Sequence, residues 1–162
     1  MNNNIRENQI LNLDDIVTGR DTRTTIMIKN IPLKYTEDLF RVELREFNGK
    51  YDLLYMPFDY DKNMNRGYAL INFVNPLLIL YFYEMFNLKR WQHFNPKCCE
   101  LFAASLKEIN EIQNKGRYYP INQNNENIII PSKYILKLKE RFPNIYYDEN
   151  NIKKIIIVKS FE

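Results

Sequence analysis

The segment from Arg66 to Phe73, RGYALINF, constrains the fold most strongly because its side chains alternate in character. Successive side chains of an extended strand point to opposite faces of a sheet. The alternation therefore predicts a central strand with one face in the core and the other at the surface. The core face carries Ala69, Ile71 and Phe73, and the surface face carries Tyr68, Leu70 and Asn72.

Three further strands and two helices are predicted around this segment from β-branched runs, apolar spacing and turn residues. Their order, β-α-β-β-α-β, is that of a ferredoxin-like split unit. The chain is therefore predicted to be α+β, with a four-stranded antiparallel sheet, two helices on one face, and an extra C-terminal helix and tail. The strands are expected at 24–31, 51–56, 66–73 and 101–105, and the helices at 37–47, 77–87 and 107–115.

Alternation also assigns the side chains of the first two strands to the two faces of the sheet. In the first helix, the spacing of Phe40, Leu44 and Phe47 predicts one buried stripe, with Thr36 as the N-cap. One side of the sheet is expected to carry Ile26, Ile28, Leu54 and Met56, and the opposite side Met27, Lys29, Tyr51, Leu53 and Tyr55.

The C-terminal part contains a second kind of pattern, separated from the domain by an Asn-rich run. Ser132 is the expected N-cap of a helix with Tyr134, Leu138 and Phe142 on one side, and we expect this apolar stripe to pack on its own domain. The predicted parts of the chain are an N-terminal lead-in arm at 1–22, the domain at 23–117 and a C-terminal extension at 118–162, with a helix at 133–142 and strand-like residues at 144–158.

Several classes of protein are disfavoured by what the sequence lacks. No stretch approaches the ~20 apolar residues of a membrane span, and the first residues lack the apolar run of a signal peptide. The adjacent Cys98 and Cys99 suit neither a disulfide nor a metal site, and His93 is the single histidine. No phosphate-binding glycine loop or nucleophile elbow is present. We therefore expect a non-enzymatic intracellular protein, in the nucleus, the cytoplasm or both, with no cofactor, metal or membrane association.

A resemblance to a known family is carried by four segments: LDDIVTGRDTRTTIMIKNIPLKYT (13–36), YDLLYMPFD (51–59), RGYALINFVNP (66–76) and FYEMFNLKRW (82–91). They resemble the RNA recognition motif superfamily, and more specifically the C-terminal motif of the Mei-two-like RNA-binding proteins, the meiosis regulators and their plant terminal-ear relatives. The resemblance implies a sheet whose open-face aromatic rings stack on bases. It also implies a single-stranded RNA-binding domain of a post-transcriptional regulator in meiotic or developmental control.

The chain departs from the family pattern at three positions. Leu70 stands where the family octamer has an aromatic residue. Met27 stands where generic motifs have one, although the Mei-two-like proteins resemble this chain in having Met there. Leu88 replaces the glycine expected after the second helix. Because stacking on a ring is worth about 1–3 kcal/mol per base, the first two departures predict weaker binding than a platform with three rings provides.

The strand faces and the resemblance together predict a partly apolar open face that binds single-stranded RNA. Tyr68 is the expected stacking ring, while Leu70 and Met27 contact bases through dispersion. The alternative is that a C-terminal helix or the tail simply covers Tyr68. The predicted RNA contacts are Tyr68, Leu70, Met27, Tyr55 and Asn72 on the face, and Lys29, Lys62, Arg66, Lys89 and Arg90 around it.

A second hypothesis is an RRM-like protein-protein interaction or dimerisation module with weak or no RNA binding. Its contacts would come from Trp91, in the segment LKRWQHF, or from the C-terminal extension. For Trp91 we favour the alternative that the indole caps the core below the second helix. Asp59 and Asp61 are assigned to turn formation rather than to a metal site.

Overall fold

The structure is a computed structural model that describes residues 5–94, 97–121, 132–142, 145–146 and 156–157. None of the described helices is long and apolar enough to cross a membrane. In chain order the elements are α1 (Leu13–Val17), β1 (Thr25–Lys29), α2 (Glu37–Glu43), β2 (Tyr51–Tyr55), β3 (Phe58–Asp59), β4 (Met64–Asn65), β5 (Tyr68–Phe73), α3 (Leu78–Phe86), β6 (Glu100–Ala103), α4 (Leu106–Lys115), β7 (Arg117–Tyr118), α5 (Ser132–Arg141), β8 (Ile145–Tyr146) and β9 (Ile156–Ile157).

The main sheet is antiparallel and has five strands in the order β6-β1-β5-β2-β7. Four of these are the predicted strands. The strand β5, formed by the segment RGYALINF, lies between β1 and β2. The fifth, β7, pairs Tyr118 with Leu53 and Arg117 with Leu54, and no sequence pattern predicts it. The ferredoxin-like α+β prediction is therefore confirmed, with one strand more than expected.

The strand β5 occupies the centre of the sheet because its apolar residues are buried beneath the helices. Ala69, Ile71 and Phe73 are 0%, 0% and 1% exposed, and Ile26 and Ile28 of β1 beside them are both 0% exposed. Burying a large aliphatic or aromatic side chain is worth about 1.5–3 kcal/mol. The predicted core face of the octamer is confirmed.

Helices α2 and α3 cover this inner face of the sheet. Thr36 caps α2, as predicted, because its hydroxyl accepts a hydrogen bond from a first-turn backbone N–H at 3.1 Å. The predicted stripe of Phe40, Leu44 and Phe47 is fully buried. However, α2 ends at Glu43, and Phe47 reaches the core from a separate turn of 3-10 helix.

The second strand differs from the prediction at Tyr51. The register between β2 and β5 shifts between Tyr51 and Leu53, which is the signature of a β-bulge and breaks the alternation of faces. Tyr51 therefore lies in the core at 1% exposure, whereas Leu53 and Tyr55 remain on the opposite face. The prediction that Tyr51 shares the face of Leu53 and Tyr55 is wrong.

Segments on both sides of the domain pack onto its helices. Ile16 of α1 joins the core, and so do Leu138 of the C-terminal helix α5 and Phe142, which directly follows that helix. An Arg141 guanidinium nitrogen lies 2.6 Å from Oε1 of Glu84 in α3, which fixes α5 against α3. The expected packing of this helix on its own domain is confirmed for its described side chains. Strands β8 and β9 pair with each other, in agreement with the strand-like part of the extension.

Leu88 follows α3 in a backbone conformation that suits glycine. Its φ is 62°, and its N–H donates a hydrogen bond to the carbonyl of Cys99 at 2.7 Å. A residue with a Cβ atom pays about 1–2 kcal/mol for this left-handed conformation. The side chain is 66% exposed, so little packing offsets the cost. The missing glycine of the family pattern is therefore replaced by a strained leucine.

Candidate nucleic-acid interface

The sheet face opposite to α2 and α3, which we call the outer face, carries one row of four side chains across four strands. Phe102 pairs with Met27, Met27 with Leu70, and Leu70 with Tyr55. Directly opposed residues of antiparallel strands project to the same face, with Cβ atoms about 4.5–5.5 Å apart. This central row therefore has an aromatic ring at each end and aliphatic side chains between them.

The rows on either side extend this pattern. On one side Lys29 pairs with Tyr68. On the other side Asn72 lies opposite Leu53, and Leu53 lies opposite Tyr118 of the added strand β7. Tyr118 is 72% exposed. The fifth strand therefore adds an accessible ring at the edge of the outer face.

Helix α4 lies on the middle of the outer face. Its Ile112 is 1% exposed and packs in one cluster with Met27, Leu70, Tyr68 and Leu53, which are 1%, 0%, 7% and 8% exposed. The expectation of an open face is wrong for Tyr68, Leu70 and Met27, because α4 covers them. The alternative that a C-terminal helix covers Tyr68 describes the structure.

The first turn of α4 is anchored to the sheet. Ser105 caps the helix by accepting a hydrogen bond from the Glu108 N–H at 3.2 Å, and Oε1 of Glu108 accepts one from the Ser105 N–H at 2.8 Å. This reciprocal pair is a capping box. The buried Gln9 side chain donates to Oε1 of Glu108 and to the carbonyl of Ala103, both at 3.2 Å. The lead-in segment thus ties the start of α4 to β6.

The chain after α4 is anchored at the opposite edge of the sheet. Tyr119 donates from its backbone N–H to the carbonyl of Asp52 at 2.9 Å. Its hydroxyl donates to Oε2 of Glu37 at 2.5 Å, and the Arg41 guanidinium carbon lies 3.8 Å from its ring centroid. Because both ends of α4 are fixed, the helix is part of the folded domain rather than a loose cover.

The two tyrosine hydroxyls near α4 are held in their neutral form. Burial raises the pKa of Tyr68 to about 12, with the negative charge of Glu111 as the next cause and the charge of Arg66 opposing it. Burial and the charge of Glu111 also raise the pKa of Tyr55, and the charge of Arg66 again opposes them. The carboxylate of Glu111 in α4 therefore lies close enough to both tyrosines to raise their pKa values.

Asn72 is committed to hydrogen bonds within the domain. Its Oδ1 accepts from the hydroxyl of Thr24 at 2.6 Å and from that of Thr25 at 2.7 Å. Its Nδ2 donates to Oδ1 of Asp52 at 2.8 Å. These bonds join β1, β2 and β5. Both acceptor positions of Oδ1 are used, so an RNA contact at Asn72, which stays a prediction, is left to the second N–H of Nδ2.

Two of the predicted cations, Lys29 and Arg66, lie beside Tyr68 of the outer face, and Lys62 lies in the hairpin that precedes Arg66. Nζ of Lys29 is 5.7 Å from the Phe102 ring centroid, within the range of a cation–π contact. Lys62 lies in the turn between β3 and β4, and Arg66 directly follows β4. Both side chains are exposed, and neither makes an ion pair with the residues described. In the same hairpin, Oδ1 of Asp59 accepts hydrogen bonds from two following backbone N–H groups at 3.0 and 3.2 Å, as expected for a turn.

The remaining predicted cations lie elsewhere. Lys89 and Arg90 border a small cavity of about 200 Å³ between α2 and α3, on the helical side of the domain. Beside them Trp91 is 2% exposed, with its ring centroid 5.9 Å from that of Tyr35 and 5.7 Å from that of Phe40. The favoured core role of Trp91 is confirmed. The structure does not bring Lys89 and Arg90 together with the outer face, and it leaves Trp91 little surface for a partner.

The cysteines show no sign of reactive chemistry. Cys98 is half-buried and Cys99 is buried, and both are free. Burial raises the pKa of the Cys99 thiol, so the nucleophilic thiolate is disfavoured. Across the described ranges, no group of His, Cys, Asp and Glu residues is arranged to hold a metal ion.

Sequence reasoning missed three aromatic residues around the outer face. Phe102 had a signal, since Leu101 and Ala103 on either side of it are buried in the core and it must face the other way. Tyr118 had none, because its strand is only two residues long. Tyr60, in the β3–β4 hairpin, is 86% exposed and lies in a loop whose orientation alternation does not predict.

Comparisons with known proteins place this geometry in a family. The family model "RNA recognition motif 2" matches residues 23–119. Protein MEI2-like 5 of Arabidopsis thaliana is 51% identical over 86 residues, covering 52% of this chain and 11% of the relative. Protein MEI2-like 5 of Oryza sativa subsp. japonica is 44% identical over 112 residues, covering 65% of this chain and 14% of the relative. The chain thus spans only a small part of the length of these curated relatives.

Solved structures give more distant similarities. The Rna15 RRM with bound RNA (GU) is 23% identical, with 56% of this chain and 93% of that chain covered and a TM-score of 0.41. The second RRM domain of yeast poly(U)-binding protein is 13% identical, with 51% and 96% covered and a TM-score of 0.42. The family match extends over most of the chain and contains the whole five-stranded sheet. The chain belongs to the RNA recognition motif 2 family.

Proposed function

We propose that this domain binds single-stranded RNA through the outer face of its sheet and the margins of that face. The observation that carries the proposal is the central row of side chains on a sheet of this family, with Phe102 and Tyr55 at its ends. Aromatic rings on such a sheet stack on unpaired bases, and cations around it contact phosphates. Lys29, Lys62 and Arg66 are the cations placed for that role.

Seven of the predicted RNA contacts fall into two sets according to their access. Tyr55 and these three cations are reachable with α4 in place. Tyr68, Leu70 and Met27 reach RNA only if α4 moves away, since all three are less than a tenth exposed. The proposed affinity is therefore lower than that of a fully open sheet with three rings, because each missing base stack removes about 1–3 kcal/mol of binding free energy.

The biological setting is proposed from the relatives. The curated relatives are MEI2-like proteins of plants, and the Mei-two-like resemblance favours a post-transcriptional regulator acting in meiotic or developmental control. Such a regulator acts inside the cell, in the nucleus, the cytoplasm or both. The chemistry proposed for the domain is binding, with no catalytic step.

Fluorescence anisotropy with a labelled single-stranded RNA of random sequence tests the proposal. We expect saturable binding that weakens as salt rises, because phosphate contacts release counterions. We also expect unlabelled single-stranded RNA to compete and duplex RNA of equal length to fail. An absence of binding at low salt, with a molecular mass that grows with protein concentration, would instead favour the protein-interaction or dimerisation module.

A further inference from the structure

We propose that RNA bases stack on an aromatic strip outside α4, formed by Tyr118, Tyr55, Phe58 and Tyr60, while α4 stays in place. This inference rests on the proposed RNA binding and names the surface that performs it. Tyr118 belongs to the added strand β7 and Tyr55 to β2, while Phe58 and Tyr60 belong to the β3–β4 hairpin, which begins three residues after Tyr55. All four rings are exposed or half-buried in the structure, so no part of the domain has to unfold before RNA can reach them.

The upper end of the strip comes from the fifth strand. Tyr118 pairs with Leu53, and Tyr55 is the next residue of β2 on the same face. Side chains in this diagonal relation lie about 7–8 Å apart. Tyr118 is 72% exposed and therefore offers most of its ring to a ligand. The two rings form adjacent, separately accessible stacking surfaces along the sheet edge.

The lower end is a pair of rings on the β3–β4 hairpin. The centroids of Phe58 and Tyr60 lie 5.0 Å apart, with their planes inclined by 58°, and Tyr60 is 86% exposed. The hairpin is held rigidly at its base by Asn65, which is 2% exposed. Nδ2 of Asn65 donates to the carbonyls of Pro32 at 2.8 Å and Tyr35 at 2.9 Å. A ring on an anchored hairpin loses little freedom when a base stacks on it.

We expect stacking on the rings to contribute more of the binding free energy than contacts between cations and phosphates. Lys62 and Arg66 are the cations of the β3–β4 hairpin and the residues after it, but Asp59 and Asp61 lie in the same hairpin and offset part of their charge. Two phosphate contacts predict a decrease in log affinity of only about 1.4 per tenfold rise in salt, from about 0.7 per contact on single strands. A shallow salt dependence thus distinguishes this strip from a binding surface built on many cations.

The position beside α4 follows from how that helix is held. The capping box and Gln9 fix its start, and the contacts of Tyr119 fix the chain beyond its end. RNA that entered beneath α4 would have to break both anchors and expose Met27 and Leu70, which offer no ring in return. On the strip, bases can stack on rings while both anchors stay intact and Met27 and Leu70 stay buried.

The test is an anisotropy titration of labelled single-stranded RNA with the full chain and the double variant Tyr60→Ala, Tyr118→Ala. Both side chains are largely exposed, so the variant should fold, which the fluorescence of the buried Trp91 would confirm. Removing a stack is expected to weaken binding by about 5- to 150-fold per ring. The matched double variant Tyr60→Phe, Tyr118→Phe keeps both rings and should bind within about twofold of the wild type.

Two controls locate the bound RNA. Phe94 is a ring of similar exposure, at 55%, that packs against Tyr35 on the helical side of the domain. Phe94→Ala should leave affinity unchanged. Ile112→Ala loosens α4; RNA bound beneath α4 would bind more tightly to that variant, whereas RNA bound on the strip would not.

The outcomes separate the two proposals. A wild-type chain that binds no single-stranded RNA refutes the proposed function and the strip with it. A wild-type chain that binds, combined with unchanged affinity of the Tyr60→Ala, Tyr118→Ala variant, refutes the strip alone. Tighter binding by Ile112→Ala also overturns the strip and assigns RNA to the face beneath α4.

Discussion

Ile112 is the fully buried side chain through which α4 packs on the outer face, and Ile112→Ala is expected to weaken the docking of the helix sharply. Ile112 is the single fully buried residue of α4, at 1% exposure, and it packs against Met27, Leu53 and Leu70. Truncating a buried isoleucine to alanine costs about 2–5 kcal/mol. We take the lower half, about 2–3 kcal/mol, because a helix lying on a sheet can settle into the space left by the lost atoms.

Two probes separate the docking of α4 from the stability of the whole domain. Trp91 fluorescence in urea reports global unfolding, because this tryptophan lies in the core between the helices and not near α4. Amide hydrogen exchange within α4 reports its local opening. A loss of about 2–3 kcal/mol accelerates that exchange by roughly 30- to 150-fold.

The matched control is Leu106→Ala in the same helix. Leu106 is 75% exposed, so its truncation should change stability by less than about 0.5 kcal/mol and leave exchange in α4 unaltered. Exchange in α4 that is as slow in Ile112→Ala as in the wild type would refute the view that this side chain holds the helix.

Three further predictions follow from residues outside that contact. Leu88→Gly should raise the free energy of unfolding, measured in urea, by about 0.5–1 kcal/mol. The glycine relieves the strain of a φ of 62°, although it also raises the entropy of the unfolded chain. Leu88→Ala keeps the Cβ atom and should not stabilise the domain. Tyr119→Phe removes the hydroxyl bonded to Glu37 but keeps the ring beside Arg41, and it should lower the local stability of β7 by about 1–2 kcal/mol, measured by hydrogen exchange at residues 117–119. Burial raises the pKa of Tyr68 and of Tyr119 to about 12, so the folded state holds both protons more tightly than the unfolded chain. Stability should therefore be constant up to about pH 10, the ordinary pKa of tyrosine, and fall as pH rises towards 12. The fall should be smaller in Tyr68→Phe, Tyr119→Phe, with a remainder from Tyr35 and Tyr55, whose pKa values burial also raises. An undiminished fall in that variant, or a flat profile in the wild type, would contradict the prediction.

The fold was predictable because its signals are local and repeated. Each of its elements is predicted by a pattern in its own segment. Alternation predicts β5, while the cap at Thr36 and the stripe of Phe40, Leu44 and Phe47 predict the first helix. The bulge in β2 was not predictable, since alternation alone contains no mark of the register shift that turns Tyr51 inward. The short strand β7 gave no signal either, because pairing with β2, rather than its own sequence, makes it a strand.

The site was less predictable than the fold because its accessibility depends on long-range packing. The outward direction of Tyr68, Leu70 and Met27 was correct, but the sequence of α4 does not state which surface its Ile112 will cover. Lys89 and Arg90 were predicted to lie around the outer face, but the turn after α3 takes them to the helical side instead. Positive charge near an aromatic segment is therefore a weak guide to which face it serves.

The two absent rings and the presence of α4 are best understood as one feature. Leu70 and Met27 occupy the middle of the central row, and they are the side chains that α4 covers most completely, at 0% and 1% exposure. Aliphatic side chains interdigitate with Ile112 at close range, whereas two flat rings at these positions would add volume beneath the helix and cost about 1–3 kcal/mol in overpacking. Leu70 and Met27 therefore make the centre of this sheet a poor surface for base stacking and a good surface for packing a helix. Aromatic residues are retained at the ends of the row, in Phe102 and Tyr55, where the helix does not require their removal.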